Sequence, residues 1–168
     1  GFANNPIVCY PPAQPDLCEL PLRSSNKDRL SVVTVSRISP EKGLLFLGKI
    51  AETSHALALP FIFSLVGAPS DKQFGDFLKE RIGRNVSLKG SKIGKDLCAA
   101  YREADLFIMP SPNEGFGLVT VEGLGHGLPV IATDIPPTRE IFSKVGEGDI
   151  PPGILIDPAG SPDSIQSA

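Results

Sequence analysis

The chain has 168 residues, 41% apolar and 21% charged, which excludes an intrinsically disordered protein and is enough to build a hydrophobic core. Its formal net charge of −3 and its lack of any basic run argue against nucleic acid or an anionic membrane as the main partner. Three cysteines without a CxxC pair predict a reduced, cytoplasmic chain with no zinc site, and no apolar run approaches the roughly 18 residues that span a bilayer.

The first part of the chain differs in composition from the rest. Residues 1–29 are rich in proline and polar residues, and we expect a linker that leads in from a missing N-terminal domain, with a short edge strand at Pro6–Tyr10. Residues 30–168 are predicted to form one domain. Its last residues, Ser161–Ala168, resemble the first turn of a helix that is cut short.

Strand and helix patterns alternate from Leu30 onwards. The predicted strands are Leu30–Ser36, Phe61–Val66, Val86–Lys89, Asp105–Met109, Pro129–Thr133 and Gly153–Asp157. The predicted helices cover about Leu44–Leu59, Asp71–Ile82, Lys95–Ala104, Gly117–His126 and Thr138–Ser143. This alternation predicts an α/β fold, a Rossmann-like parallel sheet of about six strands with helices on both faces.

A parallel sheet of this kind binds its ligand beyond the carboxyl ends of the strands. Three predicted loops at that edge carry charged side chains and glycines, namely Arg37–Gly43, Lys89–Gly94 and Ser111–Leu118. The third loop leads into a helix whose first N–H groups have no intrahelical partner, and its glycines let a ligand approach the backbone. We therefore expect an anionic or hydroxyl-rich ligand at this edge.

Arg37 and Lys42 lie in the first of these loops, with Gly43 beside the start of a helix. Arginine offers a rigid fork for phosphate oxygens, lysine a point charge, and a helix N-terminus a positive partial charge of about half a unit. This combination suits a diphosphate. The alternative interpretation is that both are solvated cations paired with Glu41 at the surface.

Glu114 and Glu122 bracket the glycine-rich turn after the fourth strand. A fully helical interval would separate them by about 12 Å, whereas the two carboxylates of a retaining glycosidase lie about 5–5.5 Å apart. The spacing therefore suits the two ends of one extended ligand. The alternative is that Glu122 is an ordinary helix-surface residue and that Glu114 is an N-terminal charge favoured by the helix dipole.

Several other motifs are incomplete. Gly90–Asp96 resembles a P-loop, but it has three residues between its glycines and an aspartate where serine or threonine must hold Mg²⁺. No GxSxG motif surrounds a serine, so a hydrolase triad has no nucleophile elbow. His126 falls at a predicted helix C-terminus, where its role is expected to be structural.

Taken together, these segments resemble the C-terminal, donor-binding half of a GT-B retaining glycosyltransferase of family four (glycosyl transferases group 1). The resemblance covers about residues 30–160. The segments that carry it are Ser36–Gly43, Leu88–Gly90, Tyr101–Asp105, Pro110–Leu118, Glu122, Gly127–Ala132 and Gly153–Pro158. The two glutamates with Gly-Phe-Gly between them are the most specific part of the pattern.

The resemblance implies that Glu114, Arg37 and Lys42 are the catalytic residues. Arg37 and Lys42 would hold the donor diphosphate and stabilise the charge of the leaving nucleotide, and Glu114 would lie beside the donor sugar. No metal and no other cofactor is implied, because the two cations take the metal's place. Retention is attributed to attack from the face that the nucleotide leaves, which needs no enzyme nucleophile.

The resemblance also implies a set of donor-binding residues. Glu122 would accept the ribose hydroxyls, the loop after the fourth strand would bind sugar hydroxyls and phosphate through its backbone, and the loop after the third strand would flank the base. The members of the two loops are Gly115, Phe116, Gly117 and Leu118, and Gly90, Ser91, Lys92 and Ile93.

Some positions depart from the family's pattern. Ser36 stands where the family often has glycine, and Gly123 where alanine is frequent, the latter an exchange that we expect to be neutral. After Thr133-Asp134 the chain continues Ile-Pro-Pro instead of the common double glycine.

The function implied is transfer from a nucleotide sugar, GDP-mannose or a UDP-sugar, to a glycan or lipid-linked acceptor in polysaccharide biosynthesis. The acceptor site belongs to an N-terminal half, through which alone a peripheral membrane association is expected, and the isolated chain should transfer poorly or not at all. The alternatives are a GT-B nucleotide-sugar epimerase, a phosphorylase, for which no pyridoxal lysine is evident, and a nonenzymatic flavodoxin-like binding module. The base, the sugar, the acceptor and the oligomeric state are left open.

Overall fold

All six predicted strands are present in the computed structural model, which describes residues 28–82, 85–145 and 152–157. The strands are β1 (Leu30–Val35), β2 (Phe61–Val66), β3 (Val86–Leu88), β4 (Leu106–Met109), β5 (Val130–Thr133) and β6 (Gly153–Ile156). The helices are α1 (Leu44–Ala56), α2 (Lys72–Arg81), α3 (Gly94–Glu103), α4 (Leu118–Gly125) and α5 (Pro136–Val145), and a 3₁₀ turn at Pro40–Lys42 lies just before α1.

The strands form one sheet in the order β3-β2-β1-β4-β5-β6, and every neighbouring pair is parallel. β1 lies at the centre and pairs with β2 along its whole length and with β4 through Val32 and Val33. The predicted Rossmann-like fold is therefore confirmed.

The core lies on both faces of the sheet because successive side chains of a strand point to opposite faces. Val32 packs in one cluster with Leu47 of α1 and Leu78 of α2. Its neighbour Val33 packs in a second cluster with Tyr101 of α3, together with side chains of α4 and α5. Among the described residues, two helices thus cover one face of the sheet, and three contribute to the core on the other.

Two helices, α1 and α5, differ from the prediction by more than one residue at a boundary. α1 ends at Ala56 rather than near Leu59, because Ala58 adopts a left-handed conformation with φ +53°. α5 begins at Pro136 rather than Thr138, because proline is tolerated in the first turn, where the N–H groups have no intrahelical partner.

The prediction of reduced cysteines is wrong at Cys98, which is disulfide-bonded. The number and spacing of cysteines describe neighbours along the chain, whereas a disulfide requires only that two residues approach in space. The expectation of a cytoplasmic location therefore stays a prediction without that support.

Some predictions lie outside the described residues. These are the strand at Pro6–Tyr10, most of the linker and the helix start at Ser161–Ala168, and the same holds for Cys9 and Cys18. Among the helices that are described, none has the length and apolar character needed to cross a bilayer.

Candidate functional site

β1 and β4 are neighbours from which the chain leaves toward opposite sides of the sheet, to β2 and to β5. Their carboxyl ends therefore open a crevice, the position where parallel α/β sheets bind ligands. The loops after the two strands meet there: Gly43 has φ +64°, and a β-carbon on it would lie 2.0 Å from the carbonyl oxygen of Pro110. The hydroxyl of Ser111 lies 3.2 Å from the carbonyl oxygen of Glu41 and adds a polar contact between the loops.

Lys42 and Glu114 form an ion pair across this crevice. The Lys42 Nζ donates to Glu114 Oε1 at 2.8 Å, and the two side chains are only 15% and 12% exposed. One residue comes from the loop after β1 and the other from the loop after β4, so the fold brings together two residues that the sequence singled out separately. An ammonium group and a carboxylate side by side can contact a phosphate and a sugar hydroxyl of the same ligand.

Arg37 lies on the same loop as Lys42 but points outward, with a side chain that is 72% exposed. Its guanidinium is 3.6 Å from Glu41, so the surface pairing considered for both cations is found for Arg37 and not for Lys42. The hydroxyl of Ser39 donates to Glu41 at 2.6 Å. This hydrogen bond, a backbone hydrogen bond and the charges of Arg37 and Lys42 hold the pKa of Glu41 below its usual value.

The turn from Gly115 to Leu118 follows Glu114 and leads into α4. Gly117 has φ +83° and occupies the N-cap of α4, where it supplies no side-chain cap for the N–H groups of the first turn. Gly115 is exposed, and a β-carbon on it would meet no atom within 4 Å. Phe116 is half-buried and Leu118 is exposed at the first position of the helix. An uncapped helix N-terminus beside open backbone suits an anionic group.

The loop from Gly90 to Ile93 lies at the same edge of the sheet, but after the outermost strand, β3. Ser91 is exposed, Lys92 is half-buried and Ile93 is 82% exposed. The loop is connected to the crevice through the loop after β2, because the N–H of Gly67 donates to the carbonyl of Gly90 at 2.9 Å.

The loop after β2 also lies at this edge of the sheet, although it is not among the three loops that the sequence indicates. Its Gly67 packs so closely that a β-carbon would lie 1.8 Å from the carbonyl oxygen of Ser36. The short run Gly67-Ala-Pro-Ser70 carries no charged side chain that could have marked it.

Glu122 lies in the middle of α4, and its Oε2 accepts a hydrogen bond of 2.8 Å from the hydroxyl of Tyr101 on α3. Tyr101 is 1% exposed, and the family resemblance implies no separate role for it. Burial, followed by the neighbouring charge of Glu122, raises the pKa of Tyr101 well above its usual value, so the phenol stays protonated. A tyrosine at helical spacing is typical of a core residue. The sequence could not indicate this hydrogen bond, because it joins residues 21 positions apart.

His126 is the C-cap of α4, in agreement with the structural role expected for it. Its Nδ1 lies 2.7 Å from the carbonyl oxygen of Glu122, and its ring stacks on Tyr101 at a centroid distance of 4.7 Å. Within the described ranges, no three His, Cys, Asp or Glu residues form a group that could hold a metal ion.

A family model decides what this site belongs to. The model of the glycosyl transferases group 1 matches residues 22–168. The chain belongs to this family. The match includes every loop of the crevice, so the resemblance of the motifs is confirmed, and the sheet is one half of a GT-B fold.

Named relatives are similar to parts of this group 1 chain. The GDP-mannose:cellobiosyl-diphosphopolyprenol alpha-mannosyltransferase of Xanthomonas campestris is 37% identical over 118 residues, which are 68% of this chain and 31% of that protein. The sulfoquinovosyl transferase of Arabidopsis thaliana is 31% identical over 149 residues, which are 88% of this chain and 28% of that protein.

A solved structure of similar fold is that of the pneumococcal O-GlcNAc transferase GtfA in complex with UDP and GlcNAc. It aligns with a TM-score of 0.60 at 26% identity, over 83% of this chain and 26% of that one. The group 1 chain thus spans less than a third of the length of each of these three proteins.

Proposed function

We propose that this chain is the donor-binding half of a retaining glycosyltransferase, which takes a nucleotide-diphosphate sugar and passes the sugar to a glycan or lipid-linked acceptor. The observation that carries the proposal is the ion pair of Lys42 with Glu114 at the β1/β4 crevice, beside the uncapped start of α4. A cation and a carboxylate are paired there, and the turn after Glu114 leads into a helix start without a side-chain cap, which suits a sugar joined to a diphosphate. Family membership favours this function over a flavodoxin-like binding module.

The proposed chemistry needs little from the protein beyond charge and position. As the bond between the anomeric carbon and the diphosphate oxygen breaks, negative charge collects on the leaving phosphate. Lys42, Arg37 and the first N–H groups of α4 would stabilise that charge, which lowers the barrier where charge develops. Glu114 would accept hydrogen bonds from the sugar hydroxyls, and the acceptor oxygen would form its bond on the face that the nucleotide leaves.

The donor is proposed to be a UDP-sugar or GDP-mannose. The pneumococcal relative was solved with UDP, and the Xanthomonas relative is named for GDP-mannose, so relatives of this chain include both bases. Glu122 is proposed to bind the ribose, and the loop from Gly90 to Ile93 to flank the base. The acceptor would be bound by a part of the protein that these 168 residues do not include.

Calorimetric titration with UDP, GDP and ADP, and then with their sugar conjugates, tests the proposal on the complete protein that carries this chain. We expect one nucleotide to bind selectively. Arg37→Ala should weaken its binding about tenfold, because a hydrogen bond to a charged group contributes at least about 1.5 kcal/mol and about 1.4 kcal/mol corresponds to a factor of ten. The matched control is Arg102→Ala. Arg102 lies in the last turn of α3, which leads into the amino end of β4, at the opposite edge of the sheet.

The proposal fails if the protein binds none of the three nucleotides, or if Arg37→Ala and Glu114→Ala both leave the affinity unchanged. Formation of an epimerised nucleotide sugar without any transfer would replace the transferase with an epimerase built on the same half-site.

A further inference from the structure

Tyr101 contributes a hydroxyl that packing alone does not need. Its ring is 1% exposed and lies 5.9 Å from the ring of Phe107 and 4.7 Å from that of His126, centroid to centroid. A phenylalanine would fill the same space. The hydroxyl has one hydrogen-bond partner among the described residues, the Oε2 of Glu122 at 2.8 Å.

The direction of this hydrogen bond is fixed by its surroundings. Because the buried phenol stays protonated, it donates, and the carboxylate accepts. The tyrosine ring is held by His126 of α4, which stacks on it. Because a carbonyl oxygen can only accept, His126 Nδ1 carries the proton of its hydrogen bond to the carbonyl of Glu122, and this bond fixes the imidazole ring. Helix α4 thus binds the tyrosine ring through His126 and the tyrosine hydroxyl through Glu122.

The second oxygen of Glu122 is left for another partner. Oε1 makes no hydrogen bond to any described residue, and it is not among the fully buried polar atoms that lack one. With one oxygen bound to Tyr101 and the other not fully buried, the carboxylate is held in one orientation before a ligand arrives. A glutamate without such a contact loses rotamer freedom on binding, and this weakens the interaction.

We propose that Tyr101 is a positioning residue for the donor: it holds Glu122 through Oε2 so that Oε1 accepts hydrogen bonds from the ribose hydroxyls, and it thereby selects ribonucleotide donors. This inference rests on the proposed function, since it assigns a ribose to the site at Glu122. Tyr101 itself does not touch the donor.

The test compares the nucleoside diphosphate that the complete protein binds, out of UDP, GDP and ADP, with its dideoxy counterpart, which lacks both ribose hydroxyls. The readout is the dissociation constant of the dideoxy nucleotide divided by that of the ribonucleotide. We expect Tyr101→Phe to reduce this ratio about tenfold, since the loss of one hydrogen bond to a charged group weakens binding by about that factor. In a Glu122→Gln background, the same change should have no further effect on the ratio, because the two residues act as one unit.

The matched control is Thr34→Val, which also deletes one buried hydroxyl. Thr34 is 1% exposed and donates to the carbonyl of Ile108 at 2.9 Å within the sheet. A purely structural role for Tyr101 predicts that both variants weaken the ribonucleotide and the dideoxy nucleotide equally, which would overturn the inference. An additive effect in the Glu122→Gln background would also overturn it.

Two further outcomes are separable. If the unaltered protein binds none of the three nucleotides, the proposed function fails, and this inference fails with it. If Tyr101→Phe does not fold, a crystal structure of the unaltered protein with its nucleotide decides the matter. We expect Oε2 to remain on Tyr101 and Oε1 to contact the ribose, and a Glu122 that leaves Tyr101 or misses the ribose would overturn the proposal.

Discussion

The pairing of Lys42 with Glu114 sets the electrostatics of the crevice. Each charge has given up most of its contact with water, and each is compensated by the other at 2.8 Å. A partly buried pair of this kind contributes little net stability, but the removal of one partner leaves an uncompensated charge. The pair therefore makes a difference that is measured best when its members are removed singly and together.

We expect Lys42→Met to lower the free energy of unfolding by about 2 kcal/mol, less than for a fully buried pair because some exposure remains. The double variant Lys42→Met/Glu114→Gln should recover most of this loss, because no charge is then left unpaired. Urea unfolding of the unaltered protein, of Lys42→Met and Glu114→Gln singly, and of the double variant measures the cycle. The control Lys79→Met breaks an exposed pair with Asp76 at 3.5 Å and should change stability by no more than about 0.5 kcal/mol. Additive losses in the double variant would show that the two charges are not coupled.

At the scale of single elements, α4 depends on a glycine where its family often has alanine. Gly123 faces β4, and a β-carbon on it would lie 3.0 Å from Cγ of Phe107, closer than such contacts normally are. The sequence predicts a neutral exchange, because it does not show the ring of Phe107 that lies against this position. The close approach of α4 to the sheet is visible only in three dimensions.

We therefore predict that Gly123→Ala destabilises the protein by about 1 kcal/mol, since overpacking outweighs a gain in helix propensity of about 1 kcal/mol. Gly125→Ala is the matched control in the same helix. Gly125 is exposed, so its replacement should keep a gain of about 0.5 kcal/mol. Thermal unfolding of both variants gives the comparison. Equal stabilisation by the two exchanges would contradict this prediction and would mean that the ring of Phe107 moves aside without cost.

At the scale of the whole molecule, the sequence predicts the elements well because each strand is a short apolar run between polar turns. The run Phe61–Val66 is reproduced residue for residue. Lys42 and Glu114 could each be assigned to the carboxyl edge, but their pairing could not, since it joins residues 72 positions apart. The local sequence pattern predicts the secondary structure of a segment, but not which distant segments it contacts. The order of the strands decides which loops meet.

The whole site depends on one such meeting, at Gly43. We expect Gly43→Ala to cost about 3 kcal/mol or more, because the left-handed conformation disfavours a β-carbon and the carbonyl oxygen of Pro110 already occupies its place. Nucleotide affinity should fall as well, because any shift that relieves the clash moves Lys42 away from Glu114.

The matched control is Gly127→Ala. Gly127 has a similar φ of +67° with no atom within 4 Å of the added carbon, so that variant should lose only about 1 kcal/mol. It should also keep its affinity, because Gly127 follows α4 at the opposite edge of the sheet. Chemical unfolding and nucleotide titration of the two variants measure both effects. Equal losses of stability and affinity would show that the contact between the two loops does not hold the site together.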